Sequence, residues 1–326
     1  MIYTAVTVLL VVAILLYFRI ADRYNIIDKP NERSSHSSVT IRGGGIIFPI
    51  AILLWFLFFG FQYPWFTLGL LLIAAISFLD DILTLSTKPR LTIHLLSVGL
   101  TLYELGFGLL PWWTWIVGFI LIIGWLNTFN FMDGINGITV LYAISVFAPI
   151  YWINEGLGVV PSSMIEAVGL GLIVFGFYNV RKKAKTFSGD VGSISLGLII
   201  AFLLTSILLY TGNWEYILFV AVYGIDSVVT ILERLLRREN IFEAHRTHLY
   251  QYLANEKKVP HVVVSALYAL VQLVISVGVI YLQSMEVKTI YFVSVFILSG
   301  IVYILIKTKI VKSIKSEVIK YKNRIE

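Results

Sequence analysis

Long apolar runs alternate with short polar connections along nearly the whole chain. The runs are close to the roughly 20 residues that an α-helix needs to cross the hydrocarbon core of a membrane. Strands of a transmembrane β-barrel would instead alternate in polarity and need only about 10 residues each. The pattern therefore predicts an all-α fold, a polytopic membrane helical bundle.

About eleven transmembrane helices are predicted. The segment from Ile2 to Phe18 has no basic region before it and no small-residue cleavage site after it, so we expect a retained first helix rather than a signal peptide. Without an internal repeat or linker, residues 1–326 are expected to form one membrane domain with a motif-bearing core at 21–260. The predicted spans are 2–20, 45–60, 66–80, 91–108, 112–131, 137–153, 163–180, 194–211, 216–236, 261–283 and 289–306.

The composition agrees with a membrane protein. Of the 326 residues, 58% are hydrophobic and 13% are charged, whereas water-soluble domains are about half apolar and about 25% charged. The composition therefore excludes an ordinary water-soluble domain. Because the chain has no cysteine, disulfides and thiolate metal sites are excluded as well.

The 25 Lys and Arg residues are distributed asymmetrically. All except Lys288 lie in the odd-numbered connections, at the span ends that adjoin them, or in the C-terminal tail, which share one face of the membrane in the predicted topology. Basic connections mark the cytoplasmic face, so the N-terminus is predicted outside and the C-terminus in the cytoplasm. The basic connections on this face account for the net charge of +6, and no nucleic-acid partner is needed to explain it.

The polar clusters of the chain all fall on the predicted cytoplasmic face. The first begins at Asp28 and ends with Arg42, Gly43, Gly44 and Gly45 at the entry to the second span. Glycines before a helix let backbone N–H groups approach an anion, and an arginine can bind phosphate with two N–H groups. A flexible loop with a glycine turn explains the same residues equally well.

The second cluster is the pair Asp80 and Asp81, which closes the third span. Two adjacent carboxylates at a membrane edge are unfavourable unless a cation or a proton offsets their charge. A solvated helix end is the alternative. It is disfavoured because the pair lies at the C-terminal end of its helix, where the helix dipole repels negative charge.

The third cluster consists of Asn127, Asn130 and Asp133 with Asn136, at the end of the fifth span. The first three recur every three residues and therefore share one helix face. Their oxygens suit a hard cation or the edge of a uracil ring. Hydrogen bonding between helices is the simpler explanation for asparagines in a membrane, but the density of polar residues at one end weakens it.

Two further clusters lie in later connections. Asp190 is flanked by glycines, a geometry useful for holding Mg²⁺ against a diphosphate, although a Gly-Asp pair alone is more often a turn. Arg246 and His248 could bind a phosphate or donate a proton, although taken alone they could equally belong to a polar loop. Together, the five clusters favour Mg²⁺-assisted phosphoryl chemistry between a soluble, phosphate-rich donor and a lipid acceptor.

The order and the residues of these motifs resemble those of the polyprenyl-phosphate N-acetylhexosamine-1-phosphate transferases of glycosyltransferase family 4. The resemblance covers the chain from Asp28 to Gln251. It rests on the aspartate pair, on the Asn-x-x-Asn-x-x-Asp-Gly motif from Asn127, on the Gly-Asp-x-Gly-Ser motif from Gly189, and on His248. The expected eleven-span topology with a cytoplasmic site is similar to the bacterial branch that initiates O-antigen and related surface glycans, in the inner membrane.

The resemblance implies transfer of N-acetylhexosamine-1-phosphate from a UDP-sugar, by default UDP-GlcNAc, to polyprenyl (undecaprenyl) phosphate, with release of UMP. It implies Mg²⁺ as the cofactor, with Mn²⁺ as an alternative, and leaves open a homodimer. The implied metal ligands are Asn130 and Asp190. The implied catalytic residues are Asp80, Asp81 and His248, and the implied substrate-binding residues are Arg42, Gly44, Asp133, Asn136 and Arg246.

The chain departs from the pattern of this family at two places. Many relatives carry Asp where this chain has Asn136, an amide that can pair with uracil but cannot act as a base. Many also have a His-x-His-His pattern where this chain reads His248, Leu249, Tyr250 and Gln251. Both differences disfavour the peptidoglycan muramoyl-pentapeptide transferase and favour a simpler N-acetylated sugar.

An alternative from another functional class is a secondary transporter or lipid flippase. Such proteins carry ionisable residues near the bilayer midplane and have broken helices. Asp226 in the ninth span is the main candidate, and His94 and Glu104 are less central. One buried aspartate is also explained by helix packing, so we favour the transferase.

Overall fold

A computed structural model describes residues 1–30, 35, 39–241, 243, 245–283 and 285–322 of the protein. Part of the first polar cluster, at 31–34 and 36–38, lies outside the described residues. Helices dominate the rest, as the apolar runs predict. The helices are α1 (Ile2–Tyr24), α2 (Ile47–Phe58), α3 (Pro64–Leu83), α4 (Thr87–Glu104), α5 (Trp112–Phe131), α6 (Ile138–Leu157), α7 (Ser162–Asn179), α8 (Gly189–Thr211), α9 (Ala221–Leu236), α10 (Leu249–Gln251), α11 (His261–Leu282) and α12 (Lys288–Lys322).

Short elements connect the long helices. Strands β1 (Ile27–Asp28) and β2 (Thr40–Ile41) pair antiparallel between α1 and α2. Turns of 3₁₀-helix precede α2 and α9, at Gly44–Ile46 and Trp214–Val220. The short α10 continues into one π-helical turn, Tyr252–Glu256.

Nine helical segments within the described residues are long and apolar enough to cross a membrane. The protein is thus a multi-pass membrane protein, but the predicted count of eleven is not confirmed. The helix with its 3₁₀ turn at Gly44–Phe58 is shorter than the other apolar spans, and α4 carries Lys88, Arg90 and Glu104 within its length. The orientation of the termini remains a prediction.

Helix α8 lies at the centre of the bundle. It is buried along most of its length and packs against α2, α3, α5 and α6. In contrast, α12 exposes most of its apolar side chains, as expected for a helix that faces lipid. The polar first turn of α8 is therefore surrounded by the ends of several other helices, which brings their side chains together.

Helices α2 and α8 begin in backbone contact. A Cβ atom on Gly45 would lie 2.4 Å from Cα of Gly192, and one on Gly192 would lie 2.6 Å from Cα of Gly45. The backbone N–H of Gly45 also donates to the carbonyl of Ser188, at 3.0 Å. Small residues allow membrane helices to approach this closely. The contact fixes the segment before α2 alongside the segment before α8.

Replacement of Gly45 by alanine should destabilise the protein, because the added methyl group would meet backbone atoms that cannot move aside. We expect a loss of about 1–3 kcal/mol in the free energy of unfolding, measured as a lower thermal midpoint in detergent. Gly124→Ala on α5 is the matched control, since its Cβ would meet no atom within 4 Å. Equal midpoints for the two variants would contradict the close packing of α2 and α8.

Candidate active site

The first turn of α8 organises the polar end of the bundle. Gly189 has φ +71°, and a Cβ at this position would lie 2.5 Å from Oδ2 of Asp81. Glycine therefore allows both the left-handed backbone and the approach of the carboxylate. Asp190 follows in the first turn, where the helix dipole favours negative charge.

Asp81 caps this helix from α3. Its carboxylate accepts hydrogen bonds from the backbone N–H of Asp190, at 3.0 Å, and of Val191, at 3.1 Å. It also pairs with Nε of Arg42 at 2.7 Å, and its side chain has no exposed surface. Free N–H groups in the first turn of a helix need such acceptors. Asp81 therefore joins α3, α8 and the segment that carries Arg42.

Asp80 has different partners from its neighbour. Its Oδ2 pairs with Nη1 of Arg90 at 2.7 Å, and its Oδ1 accepts from the backbone N–H of Leu85, also at 2.7 Å. Only 8% of its side chain is exposed. The two adjacent aspartates thus use separate arginines, which offsets the repulsion that their proximity would cause.

Asp190 lies between both arginines. Its Oδ1 is 3.4 Å from Nη2 of Arg42 and accepts from Nδ2 of Asn130 at 3.2 Å, and its Oδ2 is 3.9 Å from Nη2 of Arg90. The same Asn130 nitrogen donates to Oγ of Ser193, at 2.9 Å. With 22% of its side chain exposed, Asp190 remains accessible to a ligand.

A cavity of about 350 Å³ opens beside Asp190. Its volume is in the range of small-molecule sites, roughly 300–1,000 Å³. It brings together residues from three of the five predicted clusters, together with Gln251 of α10 and His261 at the start of α11. The lining residues are Asp28, Ser35, Arg42, Asn130, Asp133, Gly134, Ile135, Asn136, Asn179, Phe187, Gly189, Asp190, Gln251 and His261.

Asp133 and Asn136 occupy the segment between α5 and α6 on this cavity. Burial raises the pKa of Asp133 to about 7, and the hydroxyl of Thr139, which donates to its carboxylate, opposes the rise. The amide nitrogen of Asn136 donates to the carbonyls of Arg181, at 3.0 Å, and Lys182, at 3.3 Å. An aspartate could not donate these two bonds, so the amide fixes the connection between α7 and α8.

Gly44 is placed differently from the expected phosphate contact, and it does not line the cavity. Its backbone N–H donates to the carbonyl of Phe187, at 2.9 Å, and a Cβ would lie 2.4 Å from Oγ1 of Thr186. The glycine permits tight packing between two chain segments. In this structure, its N–H is therefore engaged by a carbonyl rather than presented to an anion.

His248 and Arg246 also do not line the cavity. His248 is only 2% exposed, and its Nδ1 lies 2.7 Å from Oδ1 of Asp226. Asp226, the transporter candidate, has no exposed side-chain surface. His248 and Asp226 form a buried polar group, separate from the residues around Asp190.

Several cavity or site residues did not emerge from the sequence. Arg90 contributed to the topology prediction only as one of the basic residues, yet it bridges Asp80 and Asp190. His261 opens α11, and its Nδ1 accepts from the backbone N–H of Asn136 at 3.4 Å. A basic residue shortly after the aspartate pair, at the start of the next helix, is the signal that could have identified Arg90.

The residues around Asp190 suit Mg²⁺ chemically. No group of three or more His, Cys, Asp or Glu arranged to hold a metal occurs among the residues that the structure describes. Mg²⁺ commonly uses one or two carboxylates together with substrate phosphates and water. A carboxylate at Asp190, with the amide oxygen of Asn130 as a second donor, matches this preference.

Comparisons with known proteins agree with these motifs. The sequence family described as Glycosyl transferase family 4 matches residues 63–208, which include the aspartate pair, Asn130 and Asp190. Over 261 residues, the chain is 26% identical to a probable undecaprenyl-phosphate N-acetylglucosaminyl 1-phosphate transferase of Bacillus subtilis (strain 168), covering 72% of this chain and 71% of the relative.

Two further relatives extend the comparison. The undecaprenyl-phosphate alpha-N-acetylglucosaminyl 1-phosphate transferase of Escherichia coli (strain K12) is 25% identical over 283 residues, which are 76% of this chain and 75% of that protein. A phospho-N-acetylmuramoyl-pentapeptide-transferase of Lactococcus lactis subsp. cremoris (strain MG1363) is 36% identical over 115 residues, 34% of this chain and 33% of that protein.

Asp81→Asn should destabilise the protein more than Asp190→Asn. The first change weakens a buried cap of α8 and leaves Arg42 without its closest carboxylate, so we expect a loss of about 3 kcal/mol in the free energy of unfolding. The second alters a partly exposed group and should cost about 1 kcal/mol or less. Denaturant unfolding in detergent measures both. A larger loss for Asp190→Asn would contradict the capping role of Asp81.

Proposed function

We propose that this chain, as a member of glycosyl transferase family 4, transfers N-acetylhexosamine-1-phosphate from a UDP-sugar to polyprenyl phosphate. The observation that carries the proposal is the cavity where Asp190, Asn130 and Arg42 meet. The long alignments with transferases that act on undecaprenyl phosphate support this choice of acceptor. UDP-GlcNAc is the default donor.

In the proposed reaction, an oxygen of the lipid phosphate forms a bond to the β-phosphorus of the nucleotide sugar. The bond from that phosphorus to the oxygen bridging the two phosphates breaks, and UMP departs with the electron pair. A phosphate monoester has a second pKa near 6, so the acceptor is largely dianionic at neutral pH. The step therefore needs no protein base.

Positioning and charge then become the main tasks of the protein. Asp190 and the Oδ1 atom of Asn130 would hold Mg²⁺ against the diphosphate. When bound, Mg²⁺ supplies positive charge that stabilises the diphosphate and the departing UMP. Arg42 and Arg90, both partly exposed beside Asp190, would contact phosphate oxygens.

The remaining site residues divide between two roles. Asp133 and Asn136, which line the cavity, would face the uridine. We propose that Asp80 and Asp81 position the two arginines and α8, because neither lines the cavity and both are engaged by ion pairs and backbone N–H groups. Arg246 remains a candidate for a phosphate contact from the connection after α9.

The cavity is proposed to face the cytoplasm of a bacterial cell, at the inner membrane. Lys182 and Lys183 lie in the exposed connection next to Asn136, on the face that carries nearly all Lys and Arg of the chain. Nucleotide sugars are cytoplasmic metabolites, so this orientation gives the donor direct access. The product would be a lipid-linked sugar that initiates a surface glycan.

The transporter alternative is weakened by the surroundings of Asp226. A transported ion or lipid would require this carboxylate to line a path. Instead, it is fully buried and accepts hydrogen bonds from Tyr268, at 2.6 Å, and Tyr303, at 2.9 Å, in addition to the contact with His248. These donors satisfy the carboxylate within the protein.

The proposed reaction is tested by incubating the purified protein with undecaprenyl phosphate, Mg²⁺ and a panel of UDP-N-acetyl sugars. We expect release of UMP together with a sugar-diphosphate lipid detected by mass spectrometry. Both products should disappear with EDTA, and UDP-glucose, which lacks the N-acetyl group, serves as the control donor. Absence of product from every donor, with folded protein, would reject the transferase activity.

Asp190→Asn should abolish turnover while leaving the protein folded in detergent. The amide keeps the shape of the side chain but removes the negative charge that would anchor Mg²⁺. We expect a loss of at least about 1,000-fold in kcat, measured by UMP release. Near-normal turnover of this variant at saturating Mg²⁺ would overturn the assignment of Asp190 as the metal anchor.

A further inference from the structure

A second polar group lies within the bundle beside the cavity, centred on the carboxylate of Asp226 in α9. His248 Nδ1 lies 2.7 Å from its Oδ1, and the hydroxyl of Tyr303 on α12 donates to the same oxygen at 2.9 Å. The hydroxyl of Tyr268 on α11 donates to Oδ2, at 2.6 Å. One carboxylate thereby connects three helices and the connection that leads to α10.

These contacts fix the orientation of the imidazole ring. A buried carboxylate is strongly unfavourable unless donors compensate for the lost water. Because an ionised carboxylate only accepts hydrogen bonds, Nδ1 of His248 carries the hydrogen of this contact. A carboxylate that holds an imidazole in this way sets its tautomer and its direction.

His248 is badly placed for direct chemistry. It is 2% exposed, lies outside the cavity lining, and its Nε2 is buried without a hydrogen-bond partner among the described residues. Its backbone N–H, however, donates to Oε1 of Gln251 at 3.2 Å, and Gln251 does line the cavity. The backbone of His248 is therefore linked to the cavity lining through Gln251 of the short helix α10.

The same helix also contacts the motif segment after α5. The hydroxyl of Tyr250 donates to the carbonyl of Phe131 at 2.9 Å, one residue after Asn130. A Cβ on Gly134 would lie 2.2 Å from this hydroxyl, so the two segments are in close contact. Holding His248 in place therefore holds both Gln251 and the segment that carries Asn130 and Asp133.

Helix α12 is connected to this group at two points. Besides the bond from Tyr303 to Asp226, the buried Lys307 contacts Oγ1 of Thr230 and Oε2 of Glu233, each at 2.8 Å. Thr230 and Glu233 lie one and two turns after Asp226 on α9. The C-terminal helix, which lies outside the family match at 63–208, is thus joined to α9 beside the cavity.

We infer that Asp226, Tyr268 and Tyr303 form a positioning site for His248, and that His248 supports the reaction by fixing α10 and the segment after α5 rather than by touching substrate. This inference rests on the proposed transferase function. It changes the expected role of His248 from a catalytic residue to a positioning residue. It also gives α12 a structural role in positioning the residues that line the cavity.

Two substitutions of His248 separate positioning from direct chemistry. In His248→Asn, the amide nitrogen stands near the place of Nδ1 and can still donate to Asp226. In His248→Gln, the amide nitrogen stands nearer the place of Nε2. We expect His248→Asn to keep kcat/KM within about 3-fold of the wild type, whereas His248→Gln and His248→Ala lose about 10–100-fold, as for residues that orient others. Loss in His248→Asn equal to that in His248→Ala, with retention in His248→Gln, would overturn the inference.

A matched pair on α12 tests the contribution of this helix. Tyr303→Phe removes the hydroxyl that donates to Asp226, and Tyr291→Phe removes a hydroxyl that donates to the carbonyl of Ile275, at 3.0 Å. We expect Tyr303→Phe to lower kcat/KM about 3–10-fold and Tyr291→Phe to leave it unchanged. In the His248→Ala background, Tyr303→Phe should have little further effect, because residues in one network are not additive. Equal effects of the two tyrosine variants, or full additivity, would overturn the inference.

Hydrogen–deuterium exchange separates failure of the inference from failure of the proposed function. If the wild type makes no product from any donor, the transferase proposal fails, and exchange in peptides covering 245–257 still tests the positioning site. We expect faster exchange there in Tyr303→Phe and wild-type exchange in Tyr291→Phe. Unchanged exchange in Tyr303→Phe would overturn the positioning role whether or not the protein is active.

Discussion

The cap that Asp81 places on the first turn of α8 is the interaction on which the site depends. This carboxylate accepts two backbone N–H groups and pairs with Arg42, although it has no exposed side-chain surface. Desolvation of such a charge is unfavourable, and only several donors at once can offset it. The favourable end of the α8 dipole adds to these donors. Because α8 is the central helix, its capped end holds Asp81 of α3 and Arg42 beside Asp190.

The ion pairs around this cap determine which carboxylates remain available to bind a ligand. Asp80 and Asp81 are neighbours in sequence, but each is engaged by its own arginine and by backbone N–H groups. Asp190 instead lies between both arginines and reaches the cavity. Among these three aspartates, it has the most exposed side chain. We therefore propose that Asp80 and Asp81 support the site and that Asp190 binds the ligand.

The sequence predicted the features that depend on local pattern. Apolar runs identified the helices, because burial in a membrane requires such lengths. The polar clusters predicted Arg42, Asn130, Asp133 and Asp190 as binding residues, and all four line the cavity. The tertiary partners could not be predicted. Nothing local to Gly44 reveals that its N–H donates to Phe187, and nothing local to His248 reveals that it contacts Asp226 some 22 residues earlier. Arg90 was missed for the same reason, since its role depends on how α4 folds back on α3.

The segment between α9 and α11 shows why the bundle needs buried polar contacts beside an open cavity. Helix α10 and its π-helical turn are too short to be stable alone, so tertiary contacts must hold them. His248 and Tyr250 supply these contacts, and each is buried. A carboxylate inside a membrane bundle is unfavourable without donors, which makes the arrangement around Asp226 specific: the donors satisfy the carboxylate only when α9, α11, α12 and the connection to α10 are all in place. The hydrogen bonds that offset the burial of the Asp226 carboxylate therefore also fix the segment between α9 and α11. This segment lines the cavity through Gln251.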